Sequence, residues 1–284
     1  MIAISAPAKI NLTLEVLGKR ADGYHEIRSV IQTISLMDTL RFEESDDLVF
    51  QSVSPNWQAE KSLISRAVDL LREKTGTKRG ANIVIDKHIP LLSGLGGDSS
   101  DAAATLLGLN GLWKLELDYE QILPLARQLG SDVPFFLDGG TALATGRGEE
   151  VTLLPLIPHQ WVVLTIPNIP RIQGKTGLLY KRLTPNHYTD GRITENLVEV
   201  LESGSGFETR MMFNIFENVA FDIYPGLDPV RRLMLNMNVP NIHLAGSGPA
   251  LFSLFRDKKN AEESCSRLMD QKLESYLVET LTTS

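Results

Sequence analysis

Residues 89–104 constrain this chain more than any other stretch. Ile89-Pro90-Leu91-Leu92-Ser93-Gly94-Leu95-Gly96-Gly97-Asp98-Ser99-Ser100-Asp101-Ala102-Ala103-Ala104 sets glycines at 94, 96 and 97 directly ahead of an alanine-rich helical pattern. Such a loop lets backbone N–H groups approach an anion with no side chain in the way. The helix behind it aims its positive end at the same point. Asn82 to Asp86 reads as a short strand that delivers the chain into the loop, so the order is strand, glycine loop, helix. Phosphate is the first ligand this predicts, and a nucleotide the first cofactor. A purely structural glycine turn is the competing reading. The loop contains no Gly-Lys-Ser/Thr and no dinucleotide fingerprint, so a cation for the phosphates has to come from elsewhere. Asp98 is out of character, a negative charge in a loop suited to anions.

Around this loop the sequence predicts an α+β protein. Ile2, Ile4, Ile10, Leu12, Leu14 and Val16 occupy even positions of an opening strand. Val30 to Leu36 and Asp38 to Phe42 read as two further strands, and Ser62 to Lys74 as an amphipathic helix ended by Thr75-Gly76. Asp101 to Leu112 is the helix after the glycine loop. Asp118 opens another with Gln121 placed for a capping box, and Pro124 is expected to kink or split it. Thr141 to Thr145 and Val151 to Leu154 flank Gly146-Arg147-Gly148 as a hairpin. Pro155-Leu156-Ile157-Pro158 marks a boundary between residues 1–157 and 158–284. Beyond it come a strand at Trp161 to Ile166 and helical patterns at Lys175 to Leu183, Ile193 to Glu202 and Glu208 to Phe221. Ala250 to Phe255 is a strand, Ala261 to Lys272 a helix and Tyr276 to Leu281 a last strand. The lack of a regular βαβ rhythm favours α+β over a doubly wound sheet.

Composition narrows the function. At 284 residues the chain can bury a large core, and its net charge of −7 argues against nucleic acid as partner. The single cysteine, Cys265, excludes an internal disulfide. No apolar run reaches the roughly 20 residues of a membrane span, and the start lacks a signal-peptide pattern. A cytoplasmic protein with a small-molecule substrate is the expectation, with oligomeric state left open.

Four further residues suggest chemistry. Lys9, in Pro7-Ala8-Lys9-Ile10-Asn11-Leu12, stands on the polar face of an apolar strand with Asn11 beside it. It is a candidate for the missing cation, or else a solvated edge lysine. Asp132 abuts Val133-Pro134-Phe135-Phe136-Leu137, which predicts partial burial and a nearby cation. Its alternative role is the N-cap of a short helix. Tyr24-His25 follows the Asp22-Gly23 turn and could present a ring and a donor to a ligand, or be a packed tyrosine with a solvated histidine. No cluster has transition-metal spacing.

Pro7 to Leu12 with Asp22-Gly23-Tyr24-His25-Glu26, then Gly94 to Ala103, then Ala245-Gly246-Ser247-Gly248-Pro249 together resemble the three motifs of the GHMP kinases, in order. The Lys9-Ile10-Asn11 and Asp22 to Glu26 pairing, with Gly130 to Phe136, is similar to the branch that acts on a cytidine-diphosphate-linked methylerythritol in the non-mevalonate route to isoprenoids. The resemblance implies two α+β domains with the active site between them. The first is like the second domain of ribosomal protein S5 and binds ATP, and the second is ferredoxin-like and completes the substrate cleft. It implies ATP and Mg2+ as cofactors, and Lys9 and Asp132 as the catalytic pair. Asn11, Tyr24 and His25 would contact the cytidine-bearing substrate. Pro90, Leu91, Leu92, Ser93, Gly94, Leu95, Gly96, Gly97, Asp98, Ser99 and Ser100 would hold ATP phosphates, with the adenine pocket near Ser62-Leu63-Ile64. Tyr180 is the candidate aromatic for the cytosine pocket from the second half.

At position 98 this chain departs from the family, which has glycine there. Asp98 would face solvent, cap the following helix or help hold Mg2+, and the solvent-facing orientation is the expected one. The competing functions are a homoserine or mevalonate kinase, which the Tyr24-His25 pair disfavours, and a catalytically silent nucleotide-binding protein.

Overall fold

The computed structural model describes residues 1–54 and 57–282. The first half contains strands β1 (Ile2–Asn11), β2 (Thr13–Lys19), β3 (His25–Ser45) and β4 (Leu48–Ser52), helix α1 (Leu63–Thr75) and strand β5 (Gly80–Asp86). Helices α2 (Gly97–Trp113), α3 (Tyr119–Leu129) and α4 (Phe135–Asp138) follow, then the hairpin of β6 (Thr141–Thr145) and β7 (Glu150–Leu153). The second half runs through β8 (Trp161–Ile166), α5 (Lys175–Arg182), α6 (Arg192–Ser203), β9 (Phe213–Asn214), α7 (Glu217–Ile223) and α8 (Leu227–Asn236). It closes with β10 (His243–Leu244), β11 (Leu251–Phe255), α9 (Lys258–Asp270) and β12 (Glu274–Glu279).

β3 is the spine of the first sheet. It pairs antiparallel with β1, β2, β5 and β6 along different parts of its 21-residue length. The two strands expected at Val30–Leu36 and Asp38–Phe42 are one strand, bent where the register slips from Pro7↔Met37 to Ala8↔Ile34. A bulge of this kind lets one strand serve two directions of the sheet. Helices α1 and α2 cover one face, with Ile64, Val68, Leu71, Leu106 and Leu109 packed on Phe42, Ile83 and Ile85. Gly108 of α2 lies directly on the Phe42 ring, where a Cβ would overlap ring carbons.

The second sheet has the order β10-β11-β8-β12, all antiparallel. The two sheets share a core in which Ala8, Ile10 and Leu12 of β1–β2 meet Val162, Leu164 and Phe252. Cys265 is a buried residue of α9.

Three expectations need correction. Pro124 does not split its helix: α3 runs unbroken from Tyr119 to Leu129, held by the Asp118–Gln121 capping box and by burial of Ile122, Leu125, Ala126 and Leu129. The single helix expected over Glu208–Phe221 is broken by extended backbone at β9. There Phe213 and Asn214 add a parallel strand to Thr13 and Leu14, and that pairing outweighs local helical preference. The helix after the glycine loop begins at Gly97, four residues before Asp101.

The Gly108–Phe42 contact makes a direct test of this packing. Gly108→Ala lowers stability by about 1–3 kcal/mol through overpacking, read as a fall in the urea midpoint. An unchanged midpoint would mean that α2 sits further from β3 than described.

Candidate functional site

A cleft of about 1090 Å³ opens where the first sheet, the glycine loop and the second half meet. Its floor is β1. Lys9 and Asn11 point into it and are almost fully buried, at 4% and 3% exposure. Lys9 Nζ donates to Asn11 Oδ1 at 2.6 Å. Asn11 Nδ2 donates to Ser29 Oγ at 2.7 Å, and Ser29 Oγ donates to the Thr13 carbonyl at 2.5 Å. That relay fixes the Asn11 amide so that its oxygen faces Lys9. Lys9 is therefore an interior lysine and not a solvated edge residue.

Asp132 faces Lys9 across the cleft, with Oδ2 3.7 Å from Nζ. It does not cap α4, whose N-cap position is Pro134 with no side-chain cap. Of its two expected roles, the structure places it opposite the cation.

The glycine loop forms one wall. Gly94 and Gly96 have φ of +92° and +77°, in the region that favours glycine. A Cβ on Gly94 would overlap the Ala245 carbonyl oxygen and lie 2.7 Å from Gly248 N, so the loop touches the Ala245–Pro249 loop backbone to backbone. Because α2 starts at Gly97, the N–H groups of Gly97, Asp98 and Ser99 form its open first turn. Pro90 to Gly94 and Gly96 to Ser99 line the cleft. Leu95 and Ser100 do not: Leu95 is core, and the buried Ser100 hydroxyl has no hydrogen-bond partner. Leu95 still ties the loop to the floor, since its carbonyl accepts from Lys9 N at 2.9 Å.

Beneath this wall lies a charged triad that the sequence did not reveal. Lys87 Nζ sits 2.5 Å from Asp38 Oδ2 and 2.6 Å from Asp101 Oδ2, with all three side chains buried. Burial opposes the Lys87 charge, yet Asp101 and Asp38 together raise its pKa. One ammonium cannot neutralise two buried carboxylates, and burial raises Asp101 to about 8 against the pull of Lys87, with Asp38 and Asp98 adding to the rise. The triad clamps the start of α2 onto β3 and the end of β5.

Asp98 is exposed, and it does not cap the helix it lies in. Its Oδ1 accepts from Ser62 Oγ at 2.7 Å and from Leu63 N at 3.2 Å. It therefore caps a different helix, α1, and draws the Ser62–Ile64 segment against the first turn of α2. Although exposed, its carboxylate is turned to these donors. Among the described residues no group of three His, Cys, Asp or Glu side chains could hold a metal.

The other end of the cleft is aromatic. His25 stacks on Tyr180, centroids 4.7 Å apart at 15°, with Tyr188 edge-on to His25 and Phe216 edge-on to Tyr180. Burial, then Lys19, lowers the His25 pKa, so its ring is neutral near pH 7. Tyr24 is 54% exposed, with the Arg147 guanidinium 4.6 Å above its ring. The alternative reading of this pair is inverted: the histidine is packed and the tyrosine is open.

The Ala245–Pro249 loop is held by Asn214, which donates to the Leu244 and Gly246 carbonyls, each at 2.8 Å, and by Tyr224 Oη on the Ser247 carbonyl at 2.7 Å. Lys175, at the start of α5, is a cleft residue that sequence reasoning treated only as part of a helix. The glycine before it was the available signal for a helix start, but nothing local indicated the direction of its side chain.

Family models for the GHMP kinases N terminal domain and the GHMP kinases C terminal region match residues 62–140 and 196–274. A 4-diphosphocytidyl-2-C-methyl-D-erythritol kinase from Dehalococcoides mccartyi is 47% identical over 281 residues, covering 99% of each chain. One from Listeria welshimeri is 38% identical, covering 98% of this chain and 95% of the relative. The crystal structure of a 4-(cytidine 5'-diphospho)-2C-methyl-D-erythritol kinase superposes with a TM-score of 0.82 at 33% identity, over 98% of this chain and 99% of the other. A homoserine kinase from Cytophaga hutchinsonii shares the fold, with a TM-score of 0.74 at 19% identity over 99% and 95% of the two chains.

The Asp98 cap yields a paired prediction. Asp98→Ala leaves Ser62 and Leu63 without their acceptor and lowers stability by about 1 kcal/mol, whereas Asp98→Asn retains an acceptor oxygen and most of the thermal midpoint. The Mg2+ dependence of nucleotide binding stays the same in both. A dependence altered by Asp98→Asn would restore the metal role.

Proposed function

This chain belongs to the GHMP kinases, and from that premise we propose that it transfers the γ-phosphoryl group of ATP to the 2-hydroxyl of 4-diphosphocytidyl-2-C-methyl-D-erythritol. The substrate follows the names of full-length relatives, and the chemistry rests on the site. The observation that carries it is the Lys9–Asp132 pair, 3.7 Å apart, set between the glycine loop on one side and the His25–Tyr180 aromatic group on the other. We take residues 1–157 as the nucleotide-binding half and 158–284 as the half that completes the acceptor site.

Phosphoryl transfer asks for position and charge neutralisation more than for covalent help. The N–H groups of Gly97, Asp98 and Ser99 face the donor phosphates. Asp132 orients the acceptor hydroxyl, a crowded tertiary alcohol, and takes its proton as the bond to phosphorus forms. Lys9, 3.7 Å from Asp132, holds that carboxylate in place by charge attraction and offsets the charge gathering on the transferred group. Asn11 holds Lys9 in that place, through the relay to Ser29. Tyr24 and His25 receive the cytidine, with the neutral His25 ring as a hydrogen-bonding group and Tyr180 behind it. Mg2+ fits as an ion carried by the nucleotide, because among the described residues no group of three His, Cys, Asp or Glu side chains could hold it without phosphate oxygens. When bound it would supply positive charge against the phosphates, and Ser99 on the cleft wall would be a hydroxyl able to hold it.

Lys9→Ala and Asp132→Asn each remove most turnover while leaving the circular dichroism spectrum and thermal midpoint near those of the parent. Turnover is followed as ADP release with the cytidylated substrate, homoserine and mevalonate offered in turn. Near-normal kcat in both variants would sink the assignment of the pair. Release with homoserine or mevalonate alone would sink the substrate.

A further inference from the structure

We propose that Lys175 is a second cation of the transfer site, which donates to an oxygen of the phosphoryl group as it passes from ATP to the acceptor. This rests on the kinase reading above and adds to it a residue from the second half of the chain.

The argument begins with placement. Lys175 opens α5 within Gly174-Lys175-Thr176, and the left-handed Gly174 at the N-cap turns its side chain inward. The residue lines the cleft yet is 6% exposed. Its ammonium donates to the Gly248 carbonyl, and Thr176 Oγ1 meets Ser247 Oγ at 2.9 Å. These contacts stitch the start of α5 onto the Ala245–Pro249 loop. That loop lies against Gly94, and Lys9 Nζ is 3.0 Å from where a Cβ of Gly246 would stand. Lys175 therefore reaches the junction of both glycine loops and the Lys9 ammonium, which is where the phosphoryl group must pass.

Its partners do not account for its burial. An ammonium has three donors, and among the described residues Lys175 uses one, on a neutral carbonyl. Among the described residues no carboxylate lies within ion-pair distance of it. The charged neighbours are Lys9 from β1 and Arg171 from the segment before α5, both of the same sign. Asp132, across the cleft, is paired with Lys9. The Ala245–Pro249 loop contributes no titratable side chain, and the glycine loop none before Asp98. Tyr224, which holds that loop through the Ser247 carbonyl, and Tyr180 on α5 both have raised pKa values through burial, and so are neutral. A buried cation without a counter-ion is costly. Two or three cations that converge on an open cleft fit an anion supplied by the substrate.

The free protein shows the cost. Burial first, then Lys9 and Arg171, lowers Lys175 to about 7. The charge of a phosphate oxygen beside it outweighs these three effects, so the lysine takes up a proton when nucleotide binds. The sign is definite: the protonated form is the active one, and kcat/KM for ATP falls as pH rises through about 7.

Two measurements test this. Titration calorimetry of a non-hydrolysable ATP analogue at pH 8, in two buffers of different ionisation enthalpy, counts protons. The parent takes up close to one per nucleotide, and Lys175→Arg, charged at every working pH, takes up none. In steady state, Lys175→Met loses about 100-fold in kcat with far less change in KM for ATP. Lys175→Arg retains more activity and lacks the fall near pH 7. Equal proton uptake by parent and Lys175→Arg overturns the proposal, even if the methionine variant fails to fold. So does a folded Lys175→Met with parental kcat. Nucleotide binding without proton uptake defeats this inference alone, whereas no nucleotide binding by the parent defeats the kinase reading and this inference with it.

Discussion

The site depends on the contact between two loops that carry no side chains where they meet. Gly94, from the first half, presses on Ala245 and Gly248, from the second, so closely that a single methyl group at 94 would overlap the Ala245 carbonyl. The Ala250 N–H completes the seam on the Ser93 carbonyl at 3.1 Å. Everything functional is arranged about that seam. The first turn of α2 leaves it on one side, β1 passes beneath it, and α5 is stitched to its far edge. Only glycine allows backbones to approach so closely, and only at that approach can cations from β1 and α5 share one small volume.

Electrostatics then decides what the volume can hold. The Asp38–Lys87–Asp101 triad is buried at the edge of the wall, where Lys87 borders the cleft and its two carboxylates hold the loop in shape. Asp98, the one carboxylate within the phosphate loop, is spent on the N-terminus of α1. Facing the cleft are Lys9 with its ion-pair partner Asp132, Lys175 with no ion-pair partner among the described residues, further cations including Lys87 and Arg147, and open N–H groups. That balance favours a polyanion. The aromatic end, where a neutral His25 lies on Tyr180, is a separate compartment for a flat and uncharged group. A substrate that carries phosphate at one end of its reach and a base at the other matches both.

Much of this was readable from the chain. The glycine spacing, the Lys9–Asn11 alternation and the apolar run after Asp132 each pointed to residues that line one cleft, because periodicity and loop composition are local properties. The structure brings Lys9, Asn11, Tyr24, His25, Asp132 and most of residues 90–100 to one cleft. Leu95 and Ser100 went the other way: Leu95 is drawn into the apolar core before the helix starts, and a helix that begins at Gly97 turns its fourth residue, Ser100, inward. The bend in β3, the strand at 213–214 and the Asp98 cap were not readable. Each is set by a partner far along the chain: Pro7 and Ala8 for the bend, Thr13 and Leu14 for the strand, Ser62 and Leu63 for the cap. Lys175 was hidden for the same reason, because its meaning lies in the Gly248 carbonyl and not in its own helix.

The central claim is that this cleft moves a phosphoryl group from ATP to one hydroxyl of a cytidylated polyol. Phosphorus NMR of a single turnover tests it most directly, with ATP, Mg2+ and 4-diphosphocytidyl-2-C-methyl-D-erythritol mixed with excess protein. The account predicts a new phosphomonoester resonance on the acceptor, appearing in step with the loss of the γ signal, beside an intact diphosphate bridge. Growth of free phosphate in its place, or no change in the ATP signals, would contradict it.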